Sequence, residues 1–359
     1  MSHKQIAPSL FQPDERYSRQ VLFAGIGRAG QQDLATSRIA IVGVGATGAA
    51  SASLLARAGV GYVKLIDRDF VETSNLQRQV LFDEADAEAV LPKAEAARRK
   101  IALFNSAIQV NAEISDLTPA NIGALLASVD LVLDCTDNFE TRYLLNDYCV
   151  AHGLPWLYAG AIGATAAGMT ILPAGSVVAQ DVPTACLACL FPAPPAGAVE
   201  TCDTAGVLGA AVNLAASVQV AETLKLLTGK PERIRRTFFS QDLWSNQRSE
   251  VSSAAPDPNC SACGQRQFIY LMGSARPHIT ICGRNSIQIH EHQRILSLEL
   301  LRSQLLANPE VEDVRSNALL LRFRRGPHQI TVFADGRALV QGTTDPVIAR
   351  SLYARFIGC

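Results

Sequence analysis

The chain has 359 residues, room for roughly two cores of ordinary size, and at 48% hydrophobic residues it is too apolar to be extensively disordered. Its 32 basic and 33 acidic residues leave a formal net charge of −1, so no global field draws it to nucleic acid or a membrane surface. Residues 1–13 are polar and lack the apolar run of an export signal. The least polar later stretch, 205–227, is interrupted by Asn213, Ser217, Gln219, Glu222 and Lys225, which argues for a buried helix over a membrane span. A cytoplasmic enzyme is the expectation.

Residues 1–14 read as a flexible N-terminus, and 15–37 as an opening helical region in which Tyr17, Val21 and Leu22 lie among Arg16, Arg19 and Gln20. Ile39-Ala40-Ile41-Val42 then feeds Gly43-Val44-Gly45-Ala46-Thr47-Gly48, a GxGxxG turn that opens an alanine-rich helix. Glycines there let backbone N–H groups at the helix start approach phosphate oxygens without obstruction. That half of the pattern is generic. Residues 62–67 make a second strand, and Asp67 stands where a Rossmann strand offers an acid to a ribose hydroxyl. Asn75 and Arg78 follow at once. An amide and a guanidinium suit a negatively charged leaving group, whereas a nicotinamide enzyme has no need of the pair beside its ribose. ATP is therefore favoured, with an NAD-dependent dehydrogenase as the alternative.

A helix over 92–104 and a strand at 109–114 continue the βαβ alternation, which implies a parallel sheet. The strand at 129–135 ends in Thr136-Asp137-Asn138. Ligands in open α/β sheets bind beyond the carboxyl ends of the strands, which puts Asp137 on the same rim as the glycine turn and Asp67. Residues 155–179 alternate apolar and glycine-rich segments and read as later strands of this sheet.

Nine cysteines without an export signal argue against a disulfide framework. Cys186-Leu187-Ala188-Cys189 and Cys260-Ser261-Ala262-Cys263 are two CxxC knuckles, each able to offer two sulfurs to one tetrahedral zinc ion. So wide a separation suits a structural staple, and paired redox thiols are the alternative. Residues 249–259, rich in Ser, Ala and Pro, read as a connector to the second knuckle. Cys135 and Cys149 read as core residues.

Past a boundary near 265–280 the pattern changes. A helix at 296–306, strands at 319–323 and 329–333, a hairpin turn at Ala334-Asp335-Gly336-Arg337 and a helix at 345–356 with Pro346 at its start describe a small α+β appendage, 275–359. His290 and His292 read as surface histidines, and Arg322, Arg324, Arg325 and Arg337 as a solvated face.

Over residues 15–265 the chain resembles the MoeB/ThiF branch of the ubiquitin-activating enzyme superfamily. The resemblance rests on Arg16-Tyr17-Ser18-Arg19-Gln20, the glycine turn, Ser74-Asn75-Leu76-Gln77-Arg78-Gln79, Lys93, Asp134-Cys135-Thr136-Asp137-Asn138 and both CxxC pairs, all in family order. It implies a Rossmann-like, mostly parallel sheet with flanking helices and a zinc-stapled excursion over 15–268. It also implies a homodimer that uses ATP and Mg²⁺ to adenylate the C-terminal glycine of a ubiquitin-like sulfur carrier of ThiS or MoaD type, for thiamine-thiazole or molybdopterin biosynthesis. Neither membrane nor nucleic acid is expected as a partner.

The family pattern makes Asp67 the ribose ligand and gives Asn75, Arg78 and Lys93 contacts with the triphosphate. Gly43, Gly45, Ala46, Gly48, Ser74 and Asn138 complete the nucleotide site, Asp137 holds Mg²⁺, and Arg19 reaches into the neighbouring subunit. Ala46 stands where many members have a glycine, which tightens the pyrophosphate turn by one methyl. Cys202, in Thr201-Cys202-Asp203-Thr204-Ala205-Gly206, matches the setting in which some relatives bond to the activated carrier. A glycine carboxylate is already ionised at neutral pH, so orientation and positive charge, with no protein base, must carry the attack on the α-phosphorus. Adenylation of a peptide or tRNA, or a non-catalytic zinc scaffold, are the competing readings. The appendage is expected to contact the carrier or the downstream acceptor.

Overall fold

The computed structural model describes residues 13–177, 182–194, 205–273, 280–281, 286–289, 296–317 and 319–358. Apolar runs build the centre of the main sheet. β1 (Arg38–Val42), β2 (Tyr62–Ile66) and β4 (Leu131–Asp134) are buried almost throughout, as strands covered on both faces must be, while β3 (Gln109–Glu113) closes one edge. With β5 (Trp156–Ile162), β6 (Thr165–Ile171), β7 (Thr237–Asp242) and β8 (Arg248–Ser252) they form one eight-stranded sheet in the order 3-2-1-4-5-6-7-8. Pairing is parallel from β3 to β5 and antiparallel from β5 to β8.

Alternation along β1 divides the core. Ile39 and Ile41 face one layer, with the helices Ala46–Ala58, Lys93–Phe104 and Gly209–Leu227; Ala40 and Val42 face the other, with Phe139–His152 and the cysteine knuckles. The chain leaves β1 towards β2 on one side and returns in β4 on the other. This reversal opens a crevice at the carboxyl ends of the strands.

The opening helical region resolves into Pro13–Arg16, Ser18–Leu22 and Gly27–Thr36. Residues 155–179 supply β5 and β6 of the same sheet, as expected, paired with each other as an antiparallel hairpin. The reading of 249–259 as a connector needs correction: the segment begins inside β8, a fully exposed edge strand whose Arg, Ser and Glu side chains hide its strand character.

The C-terminal residues form a second, antiparallel sheet. It comprises β9 (Thr280–Ile281), β10 (Ser286–Ile289), β11 (Glu312–Ser316), β12 (Leu320–Arg325), β13 (His328–Phe333) and β14 (Ala338–Gln341), in the order 11-12-13-14-10-9. Helices Leu298–Leu306 and Pro346–Phe356 pack against it around Phe323, Ile330, Val332 and Tyr353. Asp345 caps the second helix by accepting a bond from Val347 N at 2.8 Å, so the proline at its first position loses no needed donor. The solvated-face reading of the arginines holds for exposed Arg324. It fails for Arg337, which is 3% exposed, and for Arg322, whose guanidinium lies against Phe70 of the main body.

Candidate active site

The glycine turn is shaped by crowding. Gly43 has φ +84°, and a Cβ there would sit 2.7 Å from the Cys135 carbonyl; one on Gly48 would sit 1.9 Å from the Gly43 carbonyl. Gly43 and Gly48 thus let strand, turn and helix close on β4. Gly45 and Ala46, at the start of the helix, face the crevice. The Ala46 methyl lies on the wall of the cavity, leaving the turn intact.

Asp67, at the exit of β2, anchors the turn from below. One carboxylate oxygen accepts from Val44 N at 2.6 Å and the other from Asp69 N at 2.7 Å, and each retains a lone pair for a ligand. Burial pushes its pKa up, opposed by Lys93 and reinforced by Asp69. Lys93, only 3% exposed, ends its side chain 3.3 Å from the Asp69 carboxylate. Its backbone N–H also donates to Asp69 O at 2.8 Å, and Phe70 bridges Pro92 beside it. The lysine is therefore fixed to the β2 exit twice.

Arg68 is a cation that sequence reading passed over, although it was visible between the two aspartates. It pairs with Asp116 at 3.1 Å and lines the same cavity. Burial opposes its charge, yet Asp116, Asp69 and Asp137 together raise its pKa above the ordinary value.

The opposite wall is the turn after β4. Asp134 is fully buried and accepts from Thr136 N at 2.9 Å and Thr136 Oγ1 at 2.6 Å. Arg142 donates to its other oxygen at 2.9 Å and to Thr136 O at 2.6 Å, while its guanidinium lies 4.5 Å from the centre of the Tyr158 ring. Gln219, from the long helix Gly209–Leu227, donates to Asp134 O at 3.0 Å and Leu157 O at 2.9 Å and accepts from Ser51 Oγ at 2.9 Å. Neither Arg142 nor Gln219 belongs to the motifs quoted above, and both rigidify the turn that presents Asp137. Asn138 caps the following helix by accepting from Thr141 N at 2.8 Å.

These groups enclose one cavity of about 340 Å³. Gly43, Gly45, Ala46, Asp67, Arg78, Lys93, Asp137 and Asn138 all line it. Gln79 does too, and its Oε1 is buried with no hydrogen-bond partner among the described residues, an acceptor left for a ligand to satisfy. Four expected residues stand elsewhere. Gly48 packs under the turn, and Ser74 is exposed, giving its carbonyl to Arg78 at 2.9 Å. Asn75 is 2% exposed and accepts from Glu72 N at 3.1 Å, holding the 3₁₀ turn Thr73–Asn75 that carries Arg78. Arg19 is exposed on Ser18–Leu22, away from this cavity. Cys202 lies outside the described residues, as do His290 and His292. Cys135 and Cys149 are buried, with thiols pushed up by burial, as core residues should be.

Apart from the crevice, the sulfurs of Cys186, Cys189, Cys260 and Cys263 lie within 4.8 Å of one another. Neighbouring pairs stand at 3.6 Å (Cys186–Cys260), 3.8 Å (Cys186–Cys189) and 3.3 Å (Cys189–Cys263). A tetrahedral zinc with bonds of about 2.3 Å sets its sulfurs about 3.8 Å apart, so the cluster fits that ion. Asp257 N donates to Cys189 Sγ at 3.4 Å, the kind of outer contact that steadies a thiolate ligand.

A model of the ThiF family matches residues 17–262. The chain is 43% identical over 347 residues to the sulfur carrier protein ThiS adenylyltransferase of Bacillus subtilis strain 168, covering 96% of this chain and 99% of that one. It is 34% identical to the SAMP-activating enzyme E1 of Haloferax volcanii, over 70% of this chain and 89% of the relative. With the adenylyltransferase and sulfurtransferase MOCS3 of Bos taurus it shares 36% identity over 86% of its own length, but spans only 65% of that longer protein. Among solved structures, E. coli MccB with ATP superposes with a TM-score of 0.58 at 23% identity, over 69% of this chain and 74% of that one, a likeness of fold. The family model's match over most of the chain, with the near full-length relative beside it, makes this chain a member of the ThiF family.

Proposed function

We propose that the chain adenylates the C-terminal glycine of a ubiquitin-like sulfur carrier, with ATP as the nucleotide donor. The observation that carries the reading is the gathering of Arg68, Arg78 and Lys93 with the glycine turn and Asp67 around one cavity. Identity with the B. subtilis relative over nearly both full lengths supports a carrier of ThiS type over one of MoaD type.

In this reading the turn and its helix start cradle phosphate oxygens, and Asp67 takes a ribose hydroxyl. A carboxylate attacking a phosphorus brings two anions together, and Arg68, Arg78 and Lys93 offset that repulsion as charge moves to the departing pyrophosphate. Lys93 starts bound to Asp69, so triphosphate competes with a carboxylate for it. The carrier's terminal oxygen forms the new bond to the α-phosphorus as the bond to the pyrophosphate oxygen breaks. The product is an acyl-adenylate open to a sulfur nucleophile. Asp137 supplies the hard oxygen donor that Mg²⁺ prefers, and the bound ion would add positive charge beside the phosphates. Zinc fits the four cysteines as a structural ion with no open position.

We read residues 15–268 as the adenylation unit and 275–359 as an appendage. Arg19 stands beside Leu22 and Phe23, which are 74% and 65% exposed. An arginine flanked by bare apolar side chains suits a face covered by a second copy, from which Arg19 enters the partner's crevice. No helix among the described residues is long and apolar enough to cross a membrane.

The test is ATP–pyrophosphate exchange with a carrier ending in Gly-Gly. Exchange should require the carrier, and Arg78→Ala should lower it by about 10²- to 10³-fold while zinc content stays constant. Carrier-independent exchange, or a fully active Arg78→Ala protein, overturns the reading.

A further inference from the structure

Three appendage side chains reach across to segments of the main body that run into the wall of the crevice. Asn317 Nδ2 donates to the carbonyls of both Ala89 and Val90, each at 3.1 Å. Val90 has φ +50°, a left-handed conformation that β-branched residues rarely adopt, and it stands three positions before Lys93. The Arg322 guanidinium lies 3.7 Å from the centre of the Phe70 ring, and Phe70 is fully buried directly after Asp69. Arg337 donates to Ile114 O at 2.8 Å, where the chain leaves β3 for Ser115 and Asp116 on the cavity wall. Leu320, Phe333 and Leu339 of the appendage sheet complete an apolar cluster with Phe70 and Val90.

The three grips fall on three separate segments of the main body, and each segment runs directly into the cavity. The 69–71 and 91–93 segments are themselves paired, through Lys93 N to Asp69 O and Val71 N to Leu91 O, both at 2.8 Å. Asp69 and Lys93 thus sit on the crevice side of a short ladder whose other side is covered by the appendage. At this face the appendage contacts the nucleotide wall.

We propose that the C-terminal sheet is a positioning element for the nucleotide site, with Asn317, Arg322 and Arg337 as positioning residues that hold Lys93 and Asp69 where the triphosphate binds. Loosening the grip lets the Val90 turn relax and carries Lys93 away from the phosphates, so ATP affinity falls while affinity for the carrier does not. This rests on the adenylation reading.

The experiment measures ATP and a ThiS-type carrier ending in Gly-Gly separately by calorimetry, with full-length, zinc-loaded protein. Asn317→Ala and Arg322→Ala should each weaken ATP about tenfold, a coupling of ordinary size, and raise the KM for ATP with little change in kcat. Arg322→Lys, which keeps a cation over the ring, should restore most of the affinity. Arg324→Ala, two residues further along the same strand but exposed and paired with Glu312 rather than with the main body, should bind both ligands as wild type. Should Arg322→Ala fail to fold, half-buried Asn317 carries the test. Folded Ala variants that bind ATP as wild type overturn the inference and leave the adenylation reading standing, as does a loss confined to the carrier. Wild-type protein that binds no ATP overturns both.

Discussion

Two buried carboxylates show how the same residue type is handled differently a short distance apart. Asp134 is matched by Arg142 and both donors of Thr136, so its charge is compensated in place. Asp147, on the buried side of the helix Phe139–His152, has no cation opposite among the described residues; it accepts from Tyr270 N at 2.9 Å and Leu271 N at 3.3 Å. Burial therefore dominates and pushes its pKa up to about 6, against the two backbone donors. A carboxyl whose folded pKa lies above its unfolded value binds more protons in the folded state. Its contribution is fully present below the ordinary carboxylate range near 3.8 and is lost as pH rises through about 6. In paired denaturant titrations, wild type should lose stability relative to Asp147→Asn across that window, with a flat difference above it. The zinc ligands are common to both proteins and cancel in the difference. A wild type that gains on the variant over the same window contradicts the assignment.

Elements were legible where one face or both had to be apolar, and illegible where neither did. β1, β2 and β4 announce themselves as runs of Ile, Val and Leu, and the glycine turn follows because its φ and its contact with β4 demand glycine. β8 reads as a connector because an edge strand needs backbone pairing alone, and its exposed charges are what keep that edge from pairing further. In the site, Asn75 and Arg78 look alike as ligands in sequence, yet Asn75 spends its oxygen on the turn that presents Arg78. Arg337 reads as solvated because spacing within the appendage carries no information about a partner more than two hundred residues away, Ile114 O. The cysteine knuckles are the opposite case, since CxxC spacing alone brings sulfurs to one ion. They tie the short helix Leu187–Leu190 to the turn at 260–263 across a long excursion. Replacing Cys263 with serine should release zinc and, by analogy with a cross-link closing a loop of that length, cost about 4 kcal/mol of stability. Metal analysis beside thermal unfolding checks this, and a variant that keeps wild-type zinc and melting behaviour rejects the staple.

At the scale of the whole molecule the crevice of a single chain is rich in fixed cations but holds none from the N-terminal helices. Arg19 is exposed on the helix Ser18–Leu22, outside the cavity lining, and Leu22 and the following Phe23 are bare. If its task is in the partner's crevice, each working site needs Arg78 from one chain and Arg19 from the other. That arrangement makes activity depend on association in a way no single-chain reading reproduces. Arg19→Ala and Arg78→Ala homodimers should both be nearly inactive in pyrophosphate exchange, because each lacks one cation at both sites. Mixing the two proteins and allowing subunits to redistribute makes half of the dimers mixed, and each mixed dimer rebuilds one intact site, so about a quarter of wild-type activity should return. An arginine acting within its own chain gives a different result, since every site in the mixture then carries one of the two lesions and no activity reappears. Recovery that scales with the mixed-dimer fraction, measured by tagging one partner, separates the cases, and its absence in a mixture shown to exchange subunits removes Arg19 from the site.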